Sequence, residues 1–84
     1  MPFNEKLDLL GFYEDLALMY KSGLIKKNVV HYMFGYYAIR CWESDNFWAS
    51  VNRESKYWAL FKWFALEMKA LEGSFSFNIK KYKL

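Results

Sequence analysis

The sequence predicts a small all-α domain: a three- to four-helix bundle over residues 1–73, followed by an extended or β-like basic tail over 74–84. Three observations predict it. Apolar residues recur every three or four positions through three long segments, the period of a helix buried on one side. Glycine and proline are scarce, and Pro2, Gly11, Gly23, Gly35 and Gly73 punctuate helices instead of marking a series of tight turns. After Gly73 the period switches to two: Ser74-Phe75-Ser76-Phe77-Asn78-Ile79-Lys80 alternates polar with apolar, as a strand does.

The first helix is expected from about Asn4 to Ser22. Leu9, Phe12, Leu16 and Met19 form one apolar row, with Leu10, Tyr13, Ala17 and Tyr20 beside it. Glu5, Asp8, Glu14 and Asp15 lie towards the N-terminal half, where the helix dipole favours anions. Asn4 is the expected N-cap. Ser22-Gly23-Leu24 reads as a Schellman stop, with Gly23 left-handed and Leu24 packing back.

The second helix is expected from about Lys27 to Glu43. Val30, Met33 or Phe34, Tyr37 and Cys41 form its stripe, and Val29, Tyr36, Ile39 and Trp42 widen it. Gly35 interrupts it at a cost of about 1 kcal/mol relative to Ala, which close approach of another helix would justify. Ser44-Asp45-Asn46 is a break or cap, and Phe47–Asn52 forms a short helix or a continuation. The third long helix starts near Glu54 or Ser55 and ends at Glu72, with the stripe Tyr57, Phe61, Phe64, Met68 and Leu71. The first two helices are expected to form an antiparallel hairpin around Gly23. The third should pack across them through Phe61, Phe64 and Met68.

Eighty-four residues leave room for one domain. The net charge is +3, unevenly spread: −2 over residues 1–24, +2 over 25–43, zero over 44–72 and +3 over 73–84. The basic surplus therefore equals the tail, and the body carries no general polyanion-binding charge. No apolar run approaches the roughly 20 residues of a membrane span, and the N-terminus has no signal-peptide core. A cytoplasmic protein is expected.

Little in the sequence supports catalysis. Cys41, the single cysteine, forms no internal disulfide or cysteine-rich zinc site and reads as a small buried hydrophobe. His31 stands on a helix without a neighbouring His or Cys. Glu14 and Asp15 are adjacent, so they project about 100° apart on a helix. Glycine-rich phosphate loops are absent. We therefore expect no enzyme, no cofactor and no metal.

The unusual quantity is aromatic content: 8 Phe, 7 Tyr and 4 Trp, or 23% of the chain. A domain this size buries only about 60–65% of its unfolded surface, too little to enclose them all. Aromatic residues are enriched in protein interfaces. The expected function is a non-catalytic protein-interaction module, such as a small phage or mobile-element protein that binds and inhibits a host protein, with another protein or a homodimer mate as partner. Its contact residues are expected to be Tyr36, Trp48, Trp58 and Trp63 off the helical stripes, with Phe75 and Phe77 in the tail. The alternative is a small nucleic-acid-associated protein using Lys26, Lys27, Arg40, Lys80, Lys81 and Lys83.

One resemblance bears on this. Residues 11–43 read GFYEDLALMYKSGLIKKNVVHYMFGYYAIRCWE. Phe12-Tyr13-Glu14-Asp15, the turn Gly23-Leu24-Ile25, and Phe34-Gly35-Tyr36-Tyr37 with Trp42-Glu43 resemble the bacterial domain of unknown function 4760 family. Tyr57-Trp58-Ala59-Leu60-Phe61-Lys62-Trp63-Phe64-Ala65 resembles its later aromatic helix, so the likeness covers about residues 9–70. Lys26-Lys27 departs from the acidic residues usual there, and many relatives carry a transmembrane segment upstream that this sequence does not show. The resemblance implies a helical fold whose aromatics belong to a shared scaffold, and implies no activity.

Overall fold

The computed structural model describes residues 1–73 and is all-α. Its elements are α1 (Phe3–Lys21), α2 (Lys27–Val30), a π-turn (His31–Gly35), α3 (Tyr36–Glu43), α4 (Asp45–Trp48), a 3-10 turn (Lys56–Trp58) and α5 (Ala59–Glu72). The segments from α2 through the π-turn to α3 run on as one helix, called the second helix below. The strand-like alternation at 74–80 lies outside the described residues.

α1 starts two residues earlier than expected. Pro2 occupies the N-cap position and its carbonyl accepts the Lys6 amide at 3.1 Å, so Asn4 falls inside the first turn and caps nothing. Proline suits this boundary because its locked φ matches and its missing N–H needs no partner. The buried row is Lys6, Leu10, Tyr13 and Ala17 with Leu16, while Phe12 and Met19 of the expected row are exposed. Both rows are apolar, so only packing could choose between them. Lys6 is buried because its ammonium donates to the Asn46 carbonyl at 3.2 Å and Ser50 Oγ at 3.4 Å and lies 5.8 Å from the Phe47 ring centroid, pinning α1 to α4.

The C-terminus of α1 is a complete Schellman motif. Gly23 has φ +80°, the Leu24 amide donates to Met19 O and the Gly23 amide to Tyr20 O, both at 3.0 Å. Leu24 itself does not pack back: it is 75% exposed, and Ile25 turns in towards the core instead. The turn reverses the chain, since Phe12 meets Phe34 and Lys6 reaches Asn46. The first two helices are antiparallel as expected, with few direct contacts between them. α5 packs extensively against both of them. α1 and α5 run parallel, with Glu14 beside Phe61 and Tyr20 beside Glu67.

The π-turn decides which residues of the second helix face inward. One extra residue per turn advances the buried face, so Val30 is followed two turns later by Ala38 and not by Tyr37. The expected stripe therefore fails at Tyr37, which is exposed; of the two alternatives before it, Met33 is exposed and Phe34 packs against the core, while His31, Gly35, Ala38 and Ile39 are buried. Gly35 is also explained differently. A methyl group at its Cα would stand 2.9 Å from His31 Cδ2 and 3.1 Å from Cγ, so the glycine makes room for an imidazole one turn back and not for another helix.

Ser44 ends this helix and caps α4, its Oγ accepting the Phe47 amide at 3.2 Å. Ser55 does the same for the Tyr57 amide, and the chain then enters α5 through a 3-10 turn. The tighter turn rotates Tyr57 out of the stripe, leaving it 73% exposed. Phe61, Phe64 and Met68 are fully buried, as expected, with Ala65 beside them.

The His31–Gly35 packing predicts an epistatic pair. Gly35→Ala should destabilise the domain by about 1–2 kcal/mol through overpacking. In a His31→Ala background the same change should be neutral or stabilising, because only the gain in helix propensity remains. Urea denaturation of the four proteins measures the cycle. Equal cost in both backgrounds would separate the glycine from the imidazole.

Candidate protein-interaction surface

The aromatic residues divide into a core network and a displayed face. Phe61 is the centre of the core. Its ring stacks on Tyr13 (4.6 Å between centroids, 7° between planes), meets Trp42 edge-on at 5.6 Å and lies 6.3 Å from Trp48. Trp48 in turn contacts Trp42, Phe47 and Trp58 at 5.1, 5.2 and 6.2 Å. Its indole N–H donates to the Trp42 carbonyl at 2.8 Å. Trp48 is therefore a core residue at 7% exposure, which corrects its expected role at an interface. An indole needs a partner for one N–H only, and the end of α3 supplies it through the Trp42 carbonyl, next to the apolar core.

Two other expected contact residues are largely engaged within the chain. Trp58 is half-buried and donates from Nε1 to the Asn52 carbonyl at 2.7 Å. Trp63 is half-buried, with Tyr20 stacked on it at 5.6 Å and Lys21 Nζ 4.6 Å from its centroid. Phe75 and Phe77 lie outside the described residues. Tyr36 is displayed as expected, at 58% exposure.

Tyr36 has company, including Tyr37, which the expected apolar stripe had turned inward. Tyr32, Met33 and Tyr37 are exposed at 60%, 52% and 63%. They belong to two adjacent rows on the outer face of the second helix, Asn28-Tyr32-Tyr36-Arg40 and Val29-Met33-Tyr37, each with four-residue spacing. Tyr36 and Tyr37 touch edge to face at 5.4 Å. Arg40 lies 5.5 Å from the Tyr36 centroid and donates to its hydroxyl at 3.0 Å, which orders both side chains. Beside the second row, Phe34 contacts Phe12 of α1 at 5.7 Å, and Phe12 is itself 45% exposed. No local signal other than Gly35 marks the π-turn that brings these residues outward.

The titratable groups have structural roles. The Glu14 carboxylate accepts the backbone N–H of Phe61 and caps the first turn of α5 from a helix 47 residues earlier. Burial raises its pKa above the usual 4.5, against the pull of hydrogen bonds from Phe61 and Leu60, and Asp15 adds a smaller upward push. Cys41 is half-buried and burial lifts its thiol to about 11, which suits an inert packing residue. His31 is buried against Gly35. Among the described residues, no group of three His, Cys, Asp or Glu could hold a metal ion, and no helix is long and apolar enough to cross a membrane.

The basic set expected for a nucleic acid is not gathered on one face. Lys26 and Lys27 are exposed at the start of the second helix, about 20 Å along its axis from Arg40. Lys80, Lys81 and Lys83 lie outside the described residues.

The half-buried Glu14 carboxylate predicts two outcomes. Glu14→Ala should cost about 1–2 kcal/mol by removing a helix cap, and Glu14→Gln less than half of that, because an amide oxygen still accepts. A raised carboxyl pKa adds stability that is complete below 4.5 and is lost as pH rises through the folded value. The stability of the wild type relative to Glu14→Gln should therefore fall over that window in urea titrations. A rising difference would contradict the burial assignment. Separately, native Cys41 should react with a disulfide reagent about a hundredfold more slowly at pH 8 than in the unfolded chain, given a thiol raised from 9.0 to about 11.

No family model matches the chain, and neither a curated protein nor a solved structure matches it.

Proposed function

We propose that this domain is a non-catalytic protein-interaction module whose contact surface is the outer face of the second helix. The observation that carries the reading is the contiguity of Tyr32, Met33, Tyr36 and Tyr37, each more than half exposed, on one rigid face. With roughly 200 Å² of surface on each large side chain, those exposures leave about 450 Å² of one patch uncovered. That is within the range of the largest patch on a whole monomer, on a domain of only 84 residues. Tyr, Met and Arg are the residue types enriched at interface centres. A helix fixed on its inner side by α5 presents them with little ordering entropy left to lose.

A small phage or mobile-element inhibitor of a host protein would use such a face to cover part of a larger surface. The resemblance over residues 9–70 to the domain of unknown function 4760 family belongs to the same proposal, since it implies a shared aromatic scaffold with no assigned activity. The nucleic-acid alternative has weaker support, because the face carries one cation, Arg40, already engaged by Tyr36.

Site-specific photo-crosslinking in native host cells tests the reading. A benzophenone side chain in place of Tyr36 should give protein adducts. The same group in place of Tyr57, which is 73% exposed elsewhere, should give few. Adducts lost when Tyr32 and Tyr37 are also changed to Ala would support the face. No adduct at position 36, or equal adducts at both positions, would remove it.

A further inference from the structure

We infer that the occupant of this face is a second copy of the chain, paired across a two-fold axis with the two second helices antiparallel. The inference rests on the protein-contact reading above and names the partner. Its first ground is register. The outer rows are Asn28-Tyr32-Tyr36-Arg40 and Met33-Tyr37, the second flanked by half-buried Val29 and Cys41. Antiparallel pairing about a point between positions 34 and 35 sets each row against the other row of the second copy. Tyr36 then meets Met33, Tyr32 meets Tyr37, and Arg40 meets Val29. The tyrosines and Met33 face one another, the Arg40 stem lies over Val29, and both copies use the same patch, as an isologous interface requires.

Its second ground is charge. Lys26 and Lys27 stand at one end of the second helix and Glu43 at the other, all exposed. Antiparallel pairing brings the lysines of each copy towards the glutamate of the other. It also holds the two Arg40 side chains about 16 Å apart, whereas parallel pairing would place them side by side. The helix dipoles are opposed in the same arrangement.

Its third ground is area. Adding Phe12 raises the exposed apolar patch to about 550 Å² per copy, taking roughly 200 Å² for each large side chain. Two copies would bury about 1,000 Å² or more, the threshold of a specific interface. An interface of that size with few charges predicts a dimer of moderate affinity that dissociates on dilution.

Sedimentation equilibrium of the full chain over a wide concentration range is the first test. It should give a mass of twice 10.2 kDa at high concentration. Tyr36→Ala and Met33→Ala, each shown folded by circular dichroism, should weaken the dimer at least tenfold, and Tyr57→Ala should leave it unchanged. The direction of pairing is read by disulfide trapping in a Cys41→Ser background. Met33→Cys mixed with Tyr36→Cys should crosslink readily, and Tyr36→Cys with itself poorly. The reverse preference would mean parallel pairing and would overturn the arrangement. A dimer insensitive to Tyr36 and Met33 would place the interface elsewhere, and a monomer at high concentration would exclude self-association. In the monomer case, heterologous adducts from position 36 would keep the protein-contact reading, while their absence would end that as well.

Discussion

Phe61 is held at both ends, and the rest of the domain is arranged around that. Its ring fills the space where α1, the second helix and α4 converge, against Tyr13, Trp42 and Trp48. Its amide is held by Glu14. Full burial of such a ring contributes about 2–3 kcal/mol, and each well-placed aromatic contact about 0.5–1.5 kcal/mol more. The carboxylate cap fixes where α5 begins, and therefore the register in which Phe64, Ala65 and Met68 enter the core. Because α1 supplies both the Tyr13 ring and the Glu14 cap, the first and last helices are locked in parallel. The chain between them has to return along the opposite side.

That return explains the shape of the candidate interface. α5 lies against both other helices and shields their inner faces, so the second helix is supported from one side only. A straight α-helix with this sequence would have turned Tyr37 and Met33 inward. The π-turn at His31–Gly35 prevents this by inserting one residue into the buried face, with the His31 imidazole seated over Gly35. A core-packing choice on the inside thus exposes a row of tyrosines on the outside. The aromatic excess is divided accordingly: Tyr13, Trp42, Trp48, Phe61 and Phe64 build the core network, and Tyr32, Tyr36 and Tyr37 make the outer face.

Much of the fold was legible along the chain. The helix ends rest on local chemistry, and local chemistry can be read directly. Gly23 gives both Schellman bonds, Ser44 and Ser55 cap the helices that follow them, and the second helix spans Lys27 to Glu43 as its periodicity requires. Phe61, Phe64 and Met68 were legible because a 4-3-4 spacing in a helix with polar residues opposite has one inward face. α1 was not, since its two neighbouring apolar rows suit a core equally. The candidate site was the least legible part: of the four tryptophan and tyrosine positions expected off the stripes, Tyr36 alone is openly displayed, and Tyr32, Met33 and Tyr37 had no polar pattern to mark them as outward.

The amino-acid sequence by itself determined the class of fold, the number of its long helices and the aromatic surplus. These follow from period, caps and composition, which act within a few residues. Tertiary structure alone decided which apolar row of α1 is buried, that α5 and not the first hairpin is the packing centre, that Trp48 belongs to the core, and which tyrosines are exposed. Each of those depends on groups far apart in the chain, or on a one-residue shift in helical register. Glu14 reaches Phe61 across 47 positions, and an imidazole over a glycine turns half a helix by one residue. Local propensity carries no information about either.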